Sequence, residues 1–401
     1  MWFAGIDWAD RHHDIVVIDA EGHKVGSLRV EHSPEGLKKL VRFLRDIAPL
    51  EQIACILETK HGLLITTLLE AGLALYPVNP KTIDRKRSAS GAKTDQIDAY
   101  LLAKYGRSEL VDLRRLDPDS PQIAELKALT RDQDALIQMQ TRLVNQLTAC
   151  LKAYYPAALN LFTKLQQTAT LRFLQTYPTP QRAEAASVEQ LTETLTQAGH
   201  PTAKRVAPKL YEKLHQPQLR ADDITVRTKS RLMLALVAQL LPLLEQIATY
   251  DKEISALFLT HEDNEVFTSL PGAGKRLAPR LLAERGDDRK RYADTRRIQA
   301  LAGTAPVPFE SGNYASVHQR FACIKPLRNA LYQFAWQSTR QEEWARDYYD
   351  RKRKQGKSHS MATRALANIW VRILFAMWVK QEAYDRSTFV AAQRRHGCRA
   401  A

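Results

Sequence analysis

The sequence predicts an α/β domain at the amino terminus, then a segment of long helices, then a mostly helical carboxy-terminal part. Short apolar runs alternate with amphipathic segments over roughly the first hundred residues, and this alternation is typical of strands followed by helices. From about residue 121 onwards, apolar residues recur at spacings of three, four and seven, which is the helical period. The length of 401 residues allows two or three domains.

In the first part, apolar runs bounded by turn formers predict the elements one by one. Their predicted order is three strands, a helix, a strand, a helix, a strand, a basic loop and a helix. The predicted ranges are strands 2–7, 14–19 and 24–30, a helix from 33 to before 49, strand 53–58, helix 63–71, strand 73–78, loop 81–93 and a helix that opens at residue 95.

Two long amphipathic helices are predicted in the middle of the chain, over about 121–155 and 226–259. They flank a Pro-punctuated helical insertion at about 160–220, and Pro242 is expected to kink the second helix. A leucine stripe of this length is either the internal face of a helical bundle or the seam of a dimerising coiled coil. The pattern leaves both possibilities open.

The last third predicts shorter helices joined by turns. A helix follows Leu270–Lys275, another spans about Arg296–Ala302, and two more cover about 327–337 and 361–380. The segment Gly303–Asn313 is rich in turn formers and is predicted to be a loop. We expect a loosely ordered tail past residue 386 and domains over 1–110, 111–262, 263–345 and 346–401.

The charge of the chain favours a polyanionic partner. It has 59 basic and 44 acidic residues, a net charge of +15 and an isoelectric point near 9.6, so nucleic acid is favoured over membrane. We expect no membrane span and no signal peptide. The four cysteines are scattered singly, which supports neither a disulfide framework nor a zinc ribbon and predicts a cytoplasmic protein.

Four carboxylates are predicted to meet at one edge of the amino-terminal sheet. Asp7 and Glu58 each close an apolar strand, and Asp95 and Asp98 open a helix three residues apart. Ligands of open α/β sheets bind outside the carboxyl ends of the strands. Because such acids repel one another unless cations neutralise them, the pattern predicts a paired Mg²⁺ site for phosphodiester cleavage. Asp10 and Asp14 are expected to face away from it.

A Gly-rich turn and a basic segment predict nucleic-acid contact in the last third. The turn Pro271–Lys275 does not fit a P-loop, since Ser269 stands where its first glycine belongs. As a helix-hairpin-helix turn it would offer backbone N–H groups to phosphate. The alternative is that it is an ordinary helix entry. The basic residues that follow are either a solvated face or a nucleic-acid contact, which we favour: Lys275, Arg276, Arg280, Arg289, Lys290, Arg291, Arg296 and Arg297.

Ser311 lies in the predicted exposed turn Glu310–Asn313. Serine is common in turns for conformational reasons, so this position alone gives little support for a nucleophile.

Several motifs resemble those of a known family. They are Gly5-Ile6-Asp7, Leu57-Glu58-Thr59, Lys93-Thr94-Asp95-Gln96-Ile97-Asp98-Ala99, and Leu301-Ala302-Gly303 with Ala305-Pro306 followed by Ser311-Gly312. This combination resembles the DEDD transposases of bacterial insertion sequences, a group of bridge-RNA-guided recombinases related to the Piv invertase. The resemblance implies a RuvC-like (RNase H-like) nuclease domain, a coiled-coil segment and a carboxy-terminal transposase domain.

The resemblance also implies roles for residues and partners. Asp7, Glu58, Asp95 and Asp98 would bind Mg²⁺, with two ions expected, and Ser311 would become covalently joined to a DNA phosphate. A structured bridge RNA would pair with donor and target DNA. The site would combine the acids with a distant serine, within one chain or across a dimer or tetramer. Two other classes stay open: a Holliday-junction resolvase or metal-dependent endonuclease without a covalent intermediate, and a non-catalytic nucleic-acid-binding protein.

Overall fold

The computed structural model describes residues 1–60, 62–84, 94–162, 164–312 and 314–395. The chain divides into two compact units, Met1–Pro118 and Asp119–Ala401. Part of the predicted basic loop, together with Lys93 of the motif above, lies outside the described residues.

The first unit is a five-stranded mixed sheet with helices on both faces. The order of its strands and longer helices confirms the sequence prediction, but a short helix, α3, covers residues 80–84 at the start of the predicted basic loop. The strands lie in the order β3-β2-β1-β4-β5, where β1 is antiparallel to β2 and parallel to β4. The elements are β1 Trp2–Trp8, β2 His12–Ile18, β3 Lys24–Glu31, α1 Pro34–Ile47, β4 Ile53–Leu57, α2 Leu63–Glu70, β5 Ala74–Pro77, α3 Pro80–Asp84 and α4 Asp95–Glu109.

Strand parity gives the sheet two apolar faces. One set of alternate residues, which includes Ile6, Ile15 and Cys55, packs on α1 and α2. The other set includes Phe3, Val16 and Ile56 and packs on α4. Since side chains alternate between faces along a strand, any residue at an odd position of β1 or an even position of β2 or β4 belongs to the α4 face.

The second unit is helical except for one two-stranded sheet among its described residues. Its elements are α5 Pro121–Tyr154, α6 Ala158–Leu161, α7 Thr168–Thr176, α8 Pro180–Glu184, α9 Val188–Gln197, α10 Ala203–Leu214, α11 Asp223–Leu259, α12 Asn264–Thr268, α13 Gly274–Arg285, α14 Thr295–Leu301, β6 Val307–Ser311, β7 Tyr314–His318, α15 Lys325–Ser338, α16 Glu343–Lys354, α17 His359–Lys380 and α18 Arg386–Arg395.

The two long predicted helices are confirmed, and they pack against each other within the chain. Hydrogen bonds join Gln122 to the carbonyl of Leu257 (3.2 Å) and Gln133 to Asp251 (2.8 Å), so α5 and α11 run antiparallel. The helix α11 continues through Pro242. The stripe is therefore in part an internal face, and a coiled coil between copies of the chain remains a prediction.

Two sequence predictions in this unit are wrong. The segment predicted as a loop over Gly303–Asn313 contains strand β6, which pairs with β7 as an antiparallel hairpin. Prolines at 306 and 308 hid this strand, because proline is tolerated only at strand edges and starts. The predicted loose tail instead begins with helix α18, Arg386–Arg395.

Two helices of the second unit bear on the expectation that the chain has no membrane span, which they do not contradict. Both α11 and α17 are long and apolar enough to cross a bilayer by length and composition alone. Each contributes side chains to a core, for example Leu240 of α11 and Trp370 of α17, which are fully buried. A core helix has the same composition, so these two helices are weak indicators of a membrane span.

Candidate functional site

The sheet register brings two of the predicted acids to one edge. Asp7 is the penultimate residue of β1, and Glu58 directly follows β4. The two strands are parallel and pair Ile6 with Leu57. Asp7 and Glu58 directly follow this pair, so they lie at the same end of the sheet. By strand parity both carboxylates belong to the α4 face of the sheet.

Helix α4 brings the other two acids to this edge. Asp95 and Asp98 lie in its first turn, whose amino terminus is capped by the Thr94 hydroxyl. The helix crosses β1 at Gly5, where any Cβ would overlap the carbonyl oxygen of Ala99. Glycine is therefore required at this crossing, because only a residue without a side chain permits this approach.

The pKa of Asp7 reports how closely the acids are gathered. Burial raises it most, followed by the negative charges of Asp98, Asp95, Glu58 and Asp14, and together they bring it from 3.8 to about 6. Repulsion between carboxylates that share a site has this effect. The four predicted acids are thus electrostatic neighbours, and a fifth carboxylate joins them.

That fifth carboxylate corrects a sequence prediction, since Asp14 was expected to face away from the acids. Asp14 lies directly across from Asp7 in the β1–β2 pair, and its side chain is only 1% exposed. Arg29 of β3 donates to both of its oxygens, from Nε at 3.1 and 2.9 Å. The ligand atoms of His12, Asp14 and Asp95 lie within 4.8 Å of one another, a geometry that could hold a metal ion.

Ser311 is the last residue of β6 and pairs with Tyr314 across the hairpin turn. Gly312 in this turn has a φ of +56°, a conformation that glycine adopts without strain. The alternation along β6 and β7 puts Phe309, Ser311, Tyr314, Ser316 and His318 on one face. Ser311 is exposed, and Ser316 is hydrogen-bonded to His318 Nε2 at 2.8 Å.

Comparison with protein families gives two matches. Residues 4–156 match a DEDD transposase family of the IS110 type. Residues 264–350 match the family described as transposase IS116/IS110/IS902. The first match contains all four predicted acids, and the second contains the hairpin of Ser311.

Several relatives match over nearly the whole chain. The mini-circle putative transposase for IS117 of Streptomyces coelicolor is 31% identical over 379 residues, which cover 91% of each chain. This chain belongs to the IS110 family of insertion-sequence transposases. The IS116 44.8 kDa protein of Streptomyces clavuligerus is 30% identical over 94% of each chain. The IS900 42 kDa protein of Mycobacterium paratuberculosis is 27% identical over 97% of this chain and 98% of its own.

Membership of this family implies a RuvC-like first unit, and the mixed five-stranded sheet agrees with it. The family also suggests use of a divalent metal. The clustered carboxylates fit such an ion, because Mg²⁺ takes hard oxygen ligands.

Most of the predicted nucleic-acid-binding arginines are already paired within the transposase chain. Arg276 binds Asp251 through two bonds of 2.8 and 2.6 Å. Arg289 binds Glu262 and Asp263, and Arg291 binds Asp119. Arg280 was expected at a nucleic-acid surface but is only 8% exposed and binds Asp134 at 2.8 Å. Part of the basic segment therefore stabilises the packing of α13 on α5 and α11.

Three members of the basic set remain as candidates for phosphate contact. Lys275, at the start of α13, and Arg296 and Arg297, in the first turn of α14, are exposed. The side chain of Lys290 lies outside the described part of the chain. Gly272 of the Gly-rich turn has a φ of +86° and packs on the backbone of Gln337, so this glycine also serves a close helix contact.

Sequence reasoning missed His12, Asp14 and Arg29 as neighbours of the acids. One signal was present, since Asp14 has the same parity as the buried residues Val16 and Ile18 and therefore faces α4. Its register with Asp7 was not predictable without the length of the connecting turn. Arg29 depends on the register of a third strand, so nothing local in the sequence indicates its partner.

Proposed function

We propose that this transposase cleaves and exchanges DNA strands in a Mg²⁺-dependent reaction that passes through a phosphoserine–DNA intermediate at Ser311. The observation that carries the proposal is the gathering of Asp98, Asp95 and Glu58 around Asp7, whose pKa rises to about 6. Carboxylates whose pKa is raised by burial and by neighbouring charges are typical of functional sites. The RuvC-like family of the first unit supports the same chemistry.

The donor set fits a pair of Mg²⁺ ions. Asp7, Glu58, Asp95 and Asp98 supply only oxygen atoms, which hard divalent cations prefer. When bound, the ions would supply positive charge that stabilises the phosphate and the leaving oxygen during strand cleavage. The chain positions these oxygens through three rigid elements, the ends of β1 and β4 and the first turn of α4, so that the ligands do not have to be ordered at the moment of binding.

Ser311 is proposed to act as the nucleophile. Its oxygen forms a bond to the phosphorus of the scissile phosphate while the bond from phosphorus to one DNA oxygen breaks. The proton lost by the serine hydroxyl ends on that leaving oxygen, so one strand is left with a free hydroxyl. The phosphoserine ester keeps the energy of the broken bond, so the hydroxyl of a second strand can reverse the step. Exposure of Ser311 at the tip of a hairpin supports this role, because phosphate can reach it.

One observation favours a rival nucleophile on the same face. Ser316 is hydrogen-bonded to the imidazole of His318 at 2.8 Å, the pairing of a serine with a general base. Ser311 carries no such hydrogen bond to an imidazole among the described side chains of this hairpin face, yet it is the serine of the family-like Ser311-Gly312 motif. We propose Ser311 and treat Ser316 as the alternative that the experiment must separate.

The proposed partners are donor and target DNA and a structured bridge RNA, in a dimer or tetramer. The net charge of +15 and the exposed aromatic rings of Phe309 and Tyr314, 52% and 59% exposed, support contact with nucleic acid, since aromatic rings stack on unpaired bases. Base pairing by the RNA would choose the sequence, while Lys275, Arg296 and Arg297 contact backbone phosphates.

The decisive experiment uses a nicked suicide DNA substrate with Mg²⁺ and the bridge RNA transcribed from the flanking element. Mass spectrometry of the digested protein should place a nucleotide on Ser311. We expect Ser311→Ala to bind DNA and RNA as the wild type does but to give no covalent adduct and no recombination. Asp98→Ala should likewise bind without cutting, because it removes a metal ligand.

The matched control is Ser316→Ala, which removes a hydroxyl from the same face of the hairpin. It should keep the adduct on Ser311. A nucleotide found on Ser316 would identify Ser316, paired with His318, as the nucleophile. Cut ends without any adduct would assign the protein to the metal-dependent nucleases, and binding without cutting would make it a non-catalytic binder.

A further inference from the structure

Arg29 joins two of the clustered carboxylates. It lies on β3 opposite Asp14 in the strand register. Its Nη2 atom is 2.7 Å from Asp14 Oδ2 and 3.1 Å from Asp95 Oδ2. One guanidinium therefore connects a side chain of β2 with the first residue of α4.

The two carboxylates that Arg29 contacts differ in burial. Asp14 is 1% exposed, whereas the side chain of Asp95 is 50% exposed. A buried carboxylate without a partner is costly, and Arg29 offers it bonds from two nitrogens, a geometry that fixes the plane of the guanidinium. Asp14 is thus the anchor, and the bond to Asp95 is made by an arginine whose orientation is already set.

Asp95 receives a second contact on the same oxygen. His12 Nε2 lies 3.3 Å from Asp95 Oδ2, beside the bond from Arg29. Neither contact involves Oδ1. Hydrogen bonds to one oxygen of a carboxylate restrict its rotation and direct the other oxygen, which is how outer residues orient ligands in metal sites.

We propose that Arg29 is a positioning residue, held by Asp14, that orients Asp95 for binding of the divalent cation. This inference rests on the proposed function, in which Asp95 is a metal ligand. An exposed arginine–carboxylate pair usually contributes little, but this one is anchored on a buried carboxylate. A second geometry competes with it: Arg29 could stand where a cation binds between His12, Asp14 and Asp95, whose ligand atoms are within 4.8 Å of one another.

The two geometries predict opposite effects. If Arg29 positions Asp95, then Arg29→Ala weakens Mg²⁺ binding by about 10- to 100-fold, the usual loss when an outer partner of a ligand is removed. Cleavage at saturating Mg²⁺ should recover most of the wild-type rate. Arg29→Lys should restore part of the affinity, because an ammonium keeps the charge but not the paired bonds. If Arg29 occupies a cation position, Arg29→Ala binds Mg²⁺ more tightly.

The test is a Mg²⁺ titration of the full chain. Mg²⁺ binding is measured by calorimetry, by the rise in melting temperature that the metal causes, and by the Mg²⁺ concentration at which cleavage is half-maximal. Arg29→Ala, Arg29→Lys, Asp14→Asn and the double variant Asp14→Asn/Arg29→Ala are compared. Arg11→Ala is the matched control, since it removes an exposed arginine near the same strands. The double variant should be no weaker than either single variant, because Asp14 acts through Arg29.

Each outcome decides a separate point. A raised Mg²⁺ midpoint for Arg29→Ala, partly rescued by Arg29→Lys and absent in Arg11→Ala, supports the inference. An unchanged or lowered midpoint overturns it and leaves the proposed function in place. If wild-type protein binds no divalent cation by calorimetry, the proposed metal chemistry fails and the positioning role fails with it. Melting curves without metal identify a variant that merely unfolds, and Arg29→Lys then carries the test.

Discussion

At the scale of single residues, the raised pKa of Asp7 shows that the acidic cluster lowers the stability of the protein when no metal is bound. Its pKa is raised from 3.8 to about 6 by burial and then by four carboxylates, so the folded state binds a proton more tightly than the unfolded state. The resulting penalty is absent below about pH 4, where both states hold the proton. It grows as the pH rises from about 4 to 6 and stays constant above that.

The residue-scale prediction concerns Asp7→Asn. At pH 8 without metal this variant should be more stable than the wild type, on the order of 1–3 kcal/mol, because it removes a charge that is destabilised by burial and by the neighbouring carboxylates. It should also lose the stabilisation by Mg²⁺ and all strand cleavage. Urea unfolding at pH 4 and pH 8, with and without Mg²⁺, measures both effects.

The control for Asp7→Asn is Asp46→Asn, which neutralises an exposed carboxylate on α1. It should change stability little at either pH. An Asp7→Asn variant that is less stable at pH 8, or that still gains stability from Mg²⁺, would remove Asp7 from the metal-binding set.

At the scale of elements, the crossing of α4 over β1 decides where two of the acids lie. We predict that Gly5→Ala destabilises the protein by about 1–3 kcal/mol or more, the usual cost of inserting a methyl group into a packed core. The new methyl group would overlap the Ala99 carbonyl and push away the helix that carries Asp95 and Asp98. Strand cleavage should therefore fall further than the loss of stability explains.

Gly26→Ala is the control for this crossing. A Cβ at Gly26 would meet the end of the Phe43 ring at 3.0 Å and Cδ1 of Ile47 at 3.6 Å. Both neighbours are side chains, which can move where a backbone carbonyl cannot. Thermal melting and cleavage are measured for both variants. Equal effects of the two would mean that the closeness of α4 to β1 does not set the geometry of the site.

Helix α11 offers a separate prediction about self-association. Leu240 is fully buried and Leu232 is 46% exposed. We expect Leu240→Ala to cost about 2–5 kcal/mol, as core truncations do, and Leu232→Asp to leave the fold intact. If the exposed face of α11 is the seam between copies, Leu232→Asp gives smaller species in light scattering. An unchanged size would place the oligomer contact elsewhere.

At the scale of the whole molecule, the net charge of +15 overstates the positive charge that is available to bind nucleic acid. Arg276, Arg280, Arg289 and Arg291 are paired with acids of the second unit. The excess charge available to a polyanion therefore lies on exposed residues such as Lys275, Arg296 and Arg297.

We predict that reversing these three charges to glutamate flattens the salt dependence of DNA binding. For every phosphate that the variant no longer neutralises, the slope of log affinity against log salt should fall by about 0.9. Fluorescence anisotropy with duplex DNA over a salt series measures the slope. Reversal of Lys204, Arg205 and Lys209 on α10, which are also exposed, is the control of equal charge. Equal slopes for both triple variants would show that charge alone, and not its position, sets the affinity.

Much of this molecule was predictable from local sequence patterns. The order of strands and helices in the first unit followed from apolar periodicity, and the meeting of Asp7 with Glu58 followed from two parallel strands that end at the same edge. The spacing of Asp95 and Asp98 in one helical turn placed them together. The motifs of these residues also led to the transposase family, which the comparisons confirm.

Only the tertiary structure decided which groups are partners. Asp14 joins the acids because of its register with Asp7, and Arg29 reaches them from a third strand. Arg280 is buried because α13 packs where Asp134 can pair with it. Ser311 ends strand β6, which the proline content of this segment did not predict. Periodicity and spacing are properties of neighbours in sequence, and they determined most of the elements and the chemistry of their residues, although they missed β6 and α18. Register, burial and ion pairing depend on residues far apart in the chain, so packing determined the contacts.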